Sequence, residues 1–310
     1  MEDWYDVSIM ETISYDIQND ISLLIDILNN AKQINDFNYA FISNVNNIEL
    51  YIKICKENKI ENDIYISKII NKYYNKLPNF IYFFDYINIS KNVDSDINPI
   101  FEDKNIMITN YLDHPTLWNL EHGENKYNEK QYNGENFKYL LECVLQVLMI
   151  IDYLNKDINF IHNDLHDANI IVEQLDSFYN LKIGNYDIIT DKICILFDFE
   201  DSFLDNESYT SNIYKDIYFL LVSTFARRFS TNLNKMLEWF GFRLFKEKEF
   251  NLKFSAKLFK VLYENNLENI KYIDKNKNIA NFINFCSNTF NVDCRRKNVY
   301  PKFTHLPKRL

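Results

Sequence analysis

The sequence predicts an α+β fold in which a small β-rich part is followed by a larger, mainly helical part. Short apolar runs typical of strands are frequent in the first 110 residues. Apolar residues three and four positions apart, the pattern of a helix, dominate over 137–154 and again from about residue 214 onward. The chain has 310 residues, of which 47% are hydrophobic, so it can bury a substantial core in one or two domains.

The N-terminal part is expected to contain several strands and two helices. Strict alternation of apolar and polar residues over 48–54 predicts a strand with one buried face. Pro78 cannot continue a helix, so it sets the expected end of the second helical pattern. In chain order, the expected elements are a helix at 12–28, strands at 39–42 and 48–54, a helix at 61–77, and strands at 80–84 and 106–109.

The C-terminal part is expected to be built around one buried helix. Residues 137–154 are apolar around much of the helical circumference, which is typical of a helix that is covered on most sides. After it, a polar turn leads to two short β-rich runs, 169–172 and 193–197, that flank a loop. We therefore expect a small N-terminal domain over 1–110 and a larger domain over 111–310.

Composition argues against several classes of function. The chain carries 34 basic and 44 acidic residues, a formal net charge of −10, which argues against a surface that wraps nucleic acid. It has no uninterrupted apolar run of about 18 residues and no basic, then apolar, leader, so we expect no membrane span and a cytoplasmic location. Five widely spaced cysteines are expected to be reduced thiols. The basic tail over 295–310 fits either a solvated terminus or a docking patch for an acidic partner.

Three polar side chains lie next to apolar runs in an order that suits phosphoryl transfer. Asp164 and Asn169 follow the buried helix, and Asp198 follows a later apolar run. Phosphoryl transfer needs a carboxylate that orients the attacking hydroxyl and hard oxygen ligands that hold Mg²⁺ on the phosphates. Asp164 suits the first role, and Asn169 and Asp198 suit the second. A loop whose Asp and Asn side chains cap its own backbone remains the structural alternative.

The order H-x-D-L-x-x-x-N, followed by an apolar run and D-F, resembles the protein-kinase-like superfamily. The resemblance covers roughly residues 40–225. The segment 164–169, with the letters D-L-H-D-A-N, is similar to haspin-like kinases and to divergent Ser/Thr kinases of large DNA viruses. The letters D-F-E at 198–200 also resemble choline and ethanolamine kinases. The resemblance implies a bilobal fold, with a catalytic loop at 162–169 and a metal-binding motif at 198–200 in the larger lobe.

The resemblance also implies nucleotide-binding roles in the N-terminal part. Lys53 corresponds to the strand lysine that grips the α- and β-phosphates of ATP, and Asp63 on the next helix is its expected ion-pair partner. Thr109 and Tyr111 fall where the family places the adenine. A solvated lysine at a strand end and an ordinary acid near a helix N-terminus are the structural alternatives for the first two.

In the larger part, the resemblance implies roles within the catalytic loop. Asp164 is the expected catalytic carboxylate, and His162 opens the loop. His166 either contacts substrate or phosphate or only hydrogen-bonds backbone, and both remain open. Asp216 corresponds to the acid that anchors this loop from the following helix, with a surface helix acid as the alternative.

The chain departs from the family pattern at four places. The first glycine is Gly123, so a glycine-rich phosphate loop is missing, although the asparagines within 44–47 tolerate left-handed backbone. Tyr51 occupies a position that is usually small. Glu200 replaces a glycine, and Asn163 replaces the arginine that reads activation-loop phosphates, so control by such phosphorylation is not expected.

These observations predict ATP- and Mg²⁺-dependent phosphoryl transfer to Ser/Thr hydroxyls of a protein substrate. A small-molecule kinase that acts on an alcohol such as choline, or on an aminoglycoside, is the enzymatic alternative. A catalytically silent pseudokinase that binds proteins is the alternative from another class. The likeness to viral kinases, together with the Asn- and Ile-rich composition, suggests a gene of a large DNA virus or of a parasite with an AT-rich genome.

Overall fold

Helices and antiparallel strands are the regular elements of the described part of the chain, which confirms the predicted α+β class. The described residues form two compact units. The first extends to Asp113 and includes Phe197–Asp201, whereas the second begins at His114 and includes the other described residues. The structure, a computed structural model, describes residues 7–34, 39–55, 60–89, 97–122, 136–204, 209–242 and 277–292.

One antiparallel sheet forms the centre of the first unit. Its strands, in chain order, are β1 (Lys32–Gln33), β2 (Ala40–Val45), β3 (Ile48–Ile54), β4 (Phe83–Ile89) and β5 (Lys104–Asn110). Hydrogen bonds place them in the order β1-β2-β3-β5-β4, so β3 lies at the middle of the sheet. The strand predicted at 48–54 is confirmed.

The helices of the first unit are α1 (Val7–Asn19), α2 (Ile21–Asn29) and α3 (Ile60–Asn71) among the described residues. Apolar side chains from α1, α2 and the sheet share one core, in which Leu28, Leu50 and Phe101 are fully buried. Burial of this apolar surface is the main term that stabilises the unit.

Two asparagines build the turn between β2 and β3. Val45 pairs with Ile48, so Asn46 and Asn47 form a two-residue connection with φ values of 50° and 64°. Such a turn needs left-handed backbone at both central residues, which asparagine tolerates better than most residues. The left-handed tolerance expected of these asparagines is confirmed, and the hairpin closes without glycine.

The single helix predicted over 12–28 is wrong, because the segment forms two helices. The break falls at Asp20, whose carboxylate accepts hydrogen bonds from the backbone N–H groups of Ser22 and Leu23 at 2.9 and 3.2 Å. An aspartate with extended backbone is a favoured N-cap, so it starts α2 afresh. The apolar spacing alone does not reveal the break, because the apolar residues of both helices follow the same spacing of three and four positions.

The helix predicted over 61–77 ends earlier, and the strand after it starts later than the 80–84 run. The amide of Asn71 accepts from Phe83 N–H at 3.0 Å and donates to Phe83 C=O at 2.6 Å. This side chain therefore replaces a strand partner for the first residue of β4 at the place where α3 ends.

Helices and two strand pairs form the second unit. Helix α5 is buried along most of its length, as predicted, and Asn159 ends it in left-handed backbone with a φ of 53°. Neither α5 nor any other described helix is long and apolar enough to cross a membrane. In chain order the elements are α4 (Leu117–His122), α5 (Phe137–Ile158), β6 (Phe160–Ile161), β7 (Ile170–Ile183), β8 (Tyr186–Leu196), β9 (Phe203–Leu204), α6 (Tyr209–Phe225), α7 (Ser230–Phe240) and α8 (Ile279–Phe290).

The two short β-rich runs predicted around 169–197 are wrong in length. They belong to one long hairpin, β7 and β8, whose register shifts between Gln174 and Tyr179. Residues 176–178 are exposed at that irregularity. Two of them, Asp176 and Ser177, are polar, and the third, Phe178, is an exposed aromatic residue, so the run breaks the alternation from which a long strand would be recognised.

The hairpin is fastened to α5. Asp152 on the helix accepts from the Tyr186 hydroxyl at 2.6 Å and from Lys156 Nζ at 2.5 Å. Gly184 turns the hairpin with a φ of +54°, and the Tyr153 ring occupies the space that a Cβ at this position would need. Gly184 is thus required by both backbone conformation and packing.

Replacing Gly184 with alanine should lower the free energy of unfolding by about 2–4 kcal/mol, since left-handed strain adds to a clash with the ring. Gly241→Ala is the matched control, because Gly241 also has a positive φ, +81°, but has open space around it. It should cost only about 1–2 kcal/mol. Urea unfolding of both variants checks this, and equal losses would contradict the packing role of Tyr153.

Candidate functional site

An ion pair in the first unit joins two residues that the sequence motifs single out. Lys53 Nζ on β3 lies 3.1 Å from Asp198 Oδ1 and 3.7 Å from Glu200 Oε2. Lys53 and Asp198 are 145 positions apart in the chain. Only 22% of the Lys53 side chain is exposed, so it is not a solvated lysine at a strand end.

The carboxylates keep Lys53 charged. Burial by itself would lower the pKa of this ammonium, but the charges of Asp198 and Asp63 outweigh burial and raise the pKa above its usual range. Lys53 is therefore positively charged at neutral pH. An ammonium needs this charge in order to bind phosphate.

Asp63 is not the direct partner expected for Lys53. Its carboxylate is buried and accepts from the Ser67 hydroxyl at 3.3 Å, while Asp198 and Glu200 hold the ammonium. Burial raises the pKa of Asp63 to about 6, against the opposing effect of the Lys53 charge. Asp63 thus acts on Lys53 through the electric field rather than by contact.

Glu200 is a site residue that sequence reasoning missed. The pattern marked it only as a substitute for glycine, whereas its carboxylate faces Lys53 and its C=O accepts from Asn62 Nδ2 at 3.2 Å. The usable signal was its position two residues after Asp198, which gives a second carboxylate in the same short segment.

Tyr51 and Thr109 face each other across neighbouring strands. Tyr51 lies two residues before Lys53 on β3, hence on the same face of the sheet, and pairs with Thr109 on β5. Burial raises the pKa of the Tyr51 hydroxyl, and Thr109 is buried. Tyr111 follows β5, where its N–H donates to Glu49 C=O at 2.8 Å. Their adenine-binding roles stay predictions.

Asp216 contacts the segment that His162 opens, as expected from the sequence, whereas the catalytic role of that segment stays a prediction. Asp216 on α6 is fully buried, and its Oδ2 accepts from His162 N–H at 2.8 Å. His162 is also fully buried, and its C=O accepts from the Ser202 hydroxyl at 3.0 Å. Asp216 is therefore not a surface acid, and the main chain of His162 is fixed on both sides.

Helix α6 holds the loop at two further points. Lys215 Nζ donates to Asn163 Oδ1 at 2.5 Å, and the Ser223 hydroxyl accepts from Asp167 N–H at 3.1 Å. Asp216 and Ser223 are seven residues apart, about two turns, so they share one face of the helix. Both ends of the loop are thus tied to one rigid element.

Asp164 combines exposure with ionisation. The His166 ring, whose Nε2 lies 3.6 Å from Asp164 Oδ2, is the main cause of the lowered pKa of this carboxylate, with smaller contributions from the charges of His162 and Lys215 against burial. The Asp164 side chain is 45% exposed. A carboxylate that is ionised and reachable can accept a proton or orient a hydroxyl.

The Asn169 side chain forms a hydrogen bond to the backbone of its own loop. Its Nδ2 donates to Asp164 C=O at 3.0 Å, which is the backbone-capping behaviour considered as an alternative. The amide oxygen is the atom that could ligate a cation. His166 also bonds backbone, since its Nδ1 accepts from Ala168 N–H at 3.2 Å. The basic tail over 295–310 lies outside the described residues.

Comparison with known proteins gives one distant viral relative. No family model matches the chain. The chain is similar to the uncharacterized protein 179R of Invertebrate iridescent virus 6, with 26% identity over 157 residues. The match covers 48% of this chain and 12% of that protein. Similarity to a viral protein is thus shown, in keeping with the expected viral kinship, whereas membership of the protein-kinase-like superfamily is not.

Two substitutions should move the pKa of Asp63 in opposite directions. The Lys53 cation lowers this pKa and the Glu200 anion raises it. Lys53→Met should therefore raise the pKa of Asp63 above about 6, and Glu200→Gln should lower it. Carboxyl-carbon NMR titration measures both. Shifts of the same sign would contradict the arrangement of charges described for this unit.

Asp216→Ala should lower the free energy of unfolding by about 1–3 kcal/mol, since it leaves the buried His162 N–H without an acceptor. Asp216→Asn keeps a carbonyl oxygen of similar reach and should cost less. Denaturant unfolding of both variants checks the order. If asparagine is as damaging as alanine, the hydrogen bond is not what anchors the loop.

Proposed function

We propose that the chain is a divergent protein kinase that transfers the γ-phosphoryl group of ATP, with Mg²⁺, to Ser/Thr hydroxyls of a protein. The contact between Lys53 and Asp198 carries the proposal. Separate motifs, far apart in the chain, assign one residue to phosphate binding and the other to metal binding. An ion pair between them is expected if the phosphate-binding and metal-binding residues serve the same nucleotide.

Further support comes from the elements that present these residues. Lys53 lies on the middle strand of a five-stranded antiparallel sheet, and α3 is the described helix between β3 and β4. The kinase resemblance implies this order of strands and helix in the smaller lobe. In the second unit, the segment 162–169 is tied to a buried helix acid, as the resemblance also implies.

Side chains of the protein would supply three functions in the proposed phosphoryl transfer. Asp164 is ionised and accessible, so it accepts a hydrogen bond from the substrate hydroxyl and orients it for attack. Lys53 remains a cation and binds phosphate oxygens. Asp198 in the first unit and Asn169 in the second each carry a hard oxygen atom of the kind that Mg²⁺ prefers, and the ion would neutralise phosphate charge when bound.

A small-molecule kinase is the second candidate, and the position of Glu200 favours it. The D-F-E letters resemble those of choline and ethanolamine kinases, and the Glu200 carboxylate lies 3.7 Å from Lys53 Nζ. Its acceptor would be an alcohol rather than a protein side chain. A protein-binding scaffold without activity is the third outcome that the experiments below separate.

Asp164→Asn should leave ATP binding intact and reduce turnover on the order of 10²–10⁴-fold, because the proton acceptor is lost. Asp198→Asn should also weaken Mg²⁺-dependent nucleotide binding, since it removes a metal ligand. Asp176→Asn is the matched control, as Asp176 is exposed on the β7–β8 hairpin and its loss should change neither. Calorimetric ATP titration with and without Mg²⁺, and radiolabelled turnover on protein and alcohol acceptors, measure these effects.

The outcomes separate the candidates. Transfer to protein hydroxyls supports the proposal, and transfer only to small alcohols supports the second candidate. Folded protein that binds no ATP with Mg²⁺ and transfers nothing contradicts both and leaves the scaffold. Equal loss of nucleotide binding in the Asp164 and Asp198 variants would mean that the base and metal roles are wrongly assigned.

A further inference from the structure

The two ring nitrogens of His166 have different partners. Nδ1 accepts a hydrogen bond from Ala168 N–H at 3.2 Å, which caps the short 3₁₀ turn at Asp167–Asn169. An acceptor nitrogen carries no proton, so this bond sets the tautomer of the neutral ring. The proton must then lie on Nε2.

Nε2 faces the predicted catalytic carboxylate. It lies 3.6 Å from Asp164 Oδ2, with both side chains partly exposed. This separation is slightly longer than a full hydrogen bond, as is common for catalytic contacts before substrate binds. A ring whose orientation is fixed by backbone on one side therefore directs an N–H at Asp164 on the other.

We propose that His166 is a positioning residue that orients the Asp164 carboxylate through Nε2–H, with the Ala168 amide fixing the ring. This inference rests on the proposed phosphoryl transfer. One oxygen of Asp164 is held by the ring, so the other is presented to the substrate hydroxyl. It differs from the two roles left open by the sequence, because the ring acts through Asp164 instead of binding phosphate or substrate itself, and it does more than cap backbone.

Two substitutions separate the functions of the two nitrogens. Asparagine places an acceptor oxygen near the position of Nδ1 and is a favoured cap, so His166→Asn keeps the Ala168 bond and loses the donor to Asp164. Glutamine places a donor near the position of Nε2, so His166→Gln keeps the contact with Asp164 and loses the cap. Each variant is the control for the other.

If His166 positions Asp164, His166→Asn should lower kcat by about 10–100-fold, the range typical of residues that orient another group, with the KM for ATP unchanged. His166→Gln should restore kcat to within a few-fold of the parent, although its Tm should fall by about 2–4 °C with the lost cap. The reverse order of kcat would overturn the inference in favour of a capping role. A raised KM for ATP in both variants would overturn it in favour of phosphate contact.

NMR of protein labelled with ¹⁵N in histidine tests the pair without reference to activity. His166, assigned by its absence from the His166→Asn spectrum, should show the Nε2–H tautomer, and Asp164→Asn should shift its Nε2 resonance. An Nδ1–H tautomer, or an Nε2 resonance unmoved by Asp164→Asn, overturns the inference. Parent protein that transfers no phosphate while the NMR result holds overturns the proposed function instead, so the two failures are distinguishable.

Discussion

The buried carboxylate of Asp216 and the hydrogen bond it accepts from His162 N–H are the constraint on which the candidate catalytic loop depends. The loop holds few apolar side chains, so packing alone cannot determine its path. Leu165 is fully buried, but its neighbours Asp164 and His166 are polar and partly exposed. A helix is rigid over two turns, and α6 transmits that rigidity to the loop through polar contacts at both ends. The location of Asp164 is therefore set by a helix rather than by its own surroundings.

In the first unit, the corresponding constraint is the excess of negative over positive charge around Lys53. One ammonium, Lys53, lies in the field of three carboxylates, those of Asp63, Asp198 and Glu200. Burial is the main cause of the raised pKa of Asp63, and the charges of Asp198 and Glu200 raise it further, so proton uptake by Asp63 is one way to relieve the excess. Binding of a divalent cation is another. Phosphate alone would add negative charge to the same place, so an anionic ligand is favoured here only together with a cation.

Local patterns predicted the elements that are continuous in sequence and buried on a regular period. Strand β3 and helix α5 were found because their apolar positions follow a period of two and of 3.6 residues. The break at Asp20 and the early end of α3 were missed, because each depends on one side chain bonding backbone. Among the candidate residues of the two units, the motifs single out Lys53, Asp164 and Asp198, but not the contact between Glu200 and Lys53. That contact depends on the folded path of 197–201, and no local rule encodes it.

Three of the departures from the kinase pattern have a physical explanation in the structure. Asn46 and Asn47 supply the left-handed turn that glycine would, Glu200 faces Lys53, and Asn163, with a φ of 65°, accepts from Lys215. Each substitution is thus accommodated by a specific contact. Asp63 and Asp216 also have pKa values raised by burial, so their ionised forms cost stability. Asp216 serves the fold through the hydrogen bond that it accepts from His162 N–H, so its cost is compatible with an enzyme or a scaffold. The charges of Lys53, Asp198 and Glu200 are held close together, and fixed charges of this kind are what the enzymatic proposal requires.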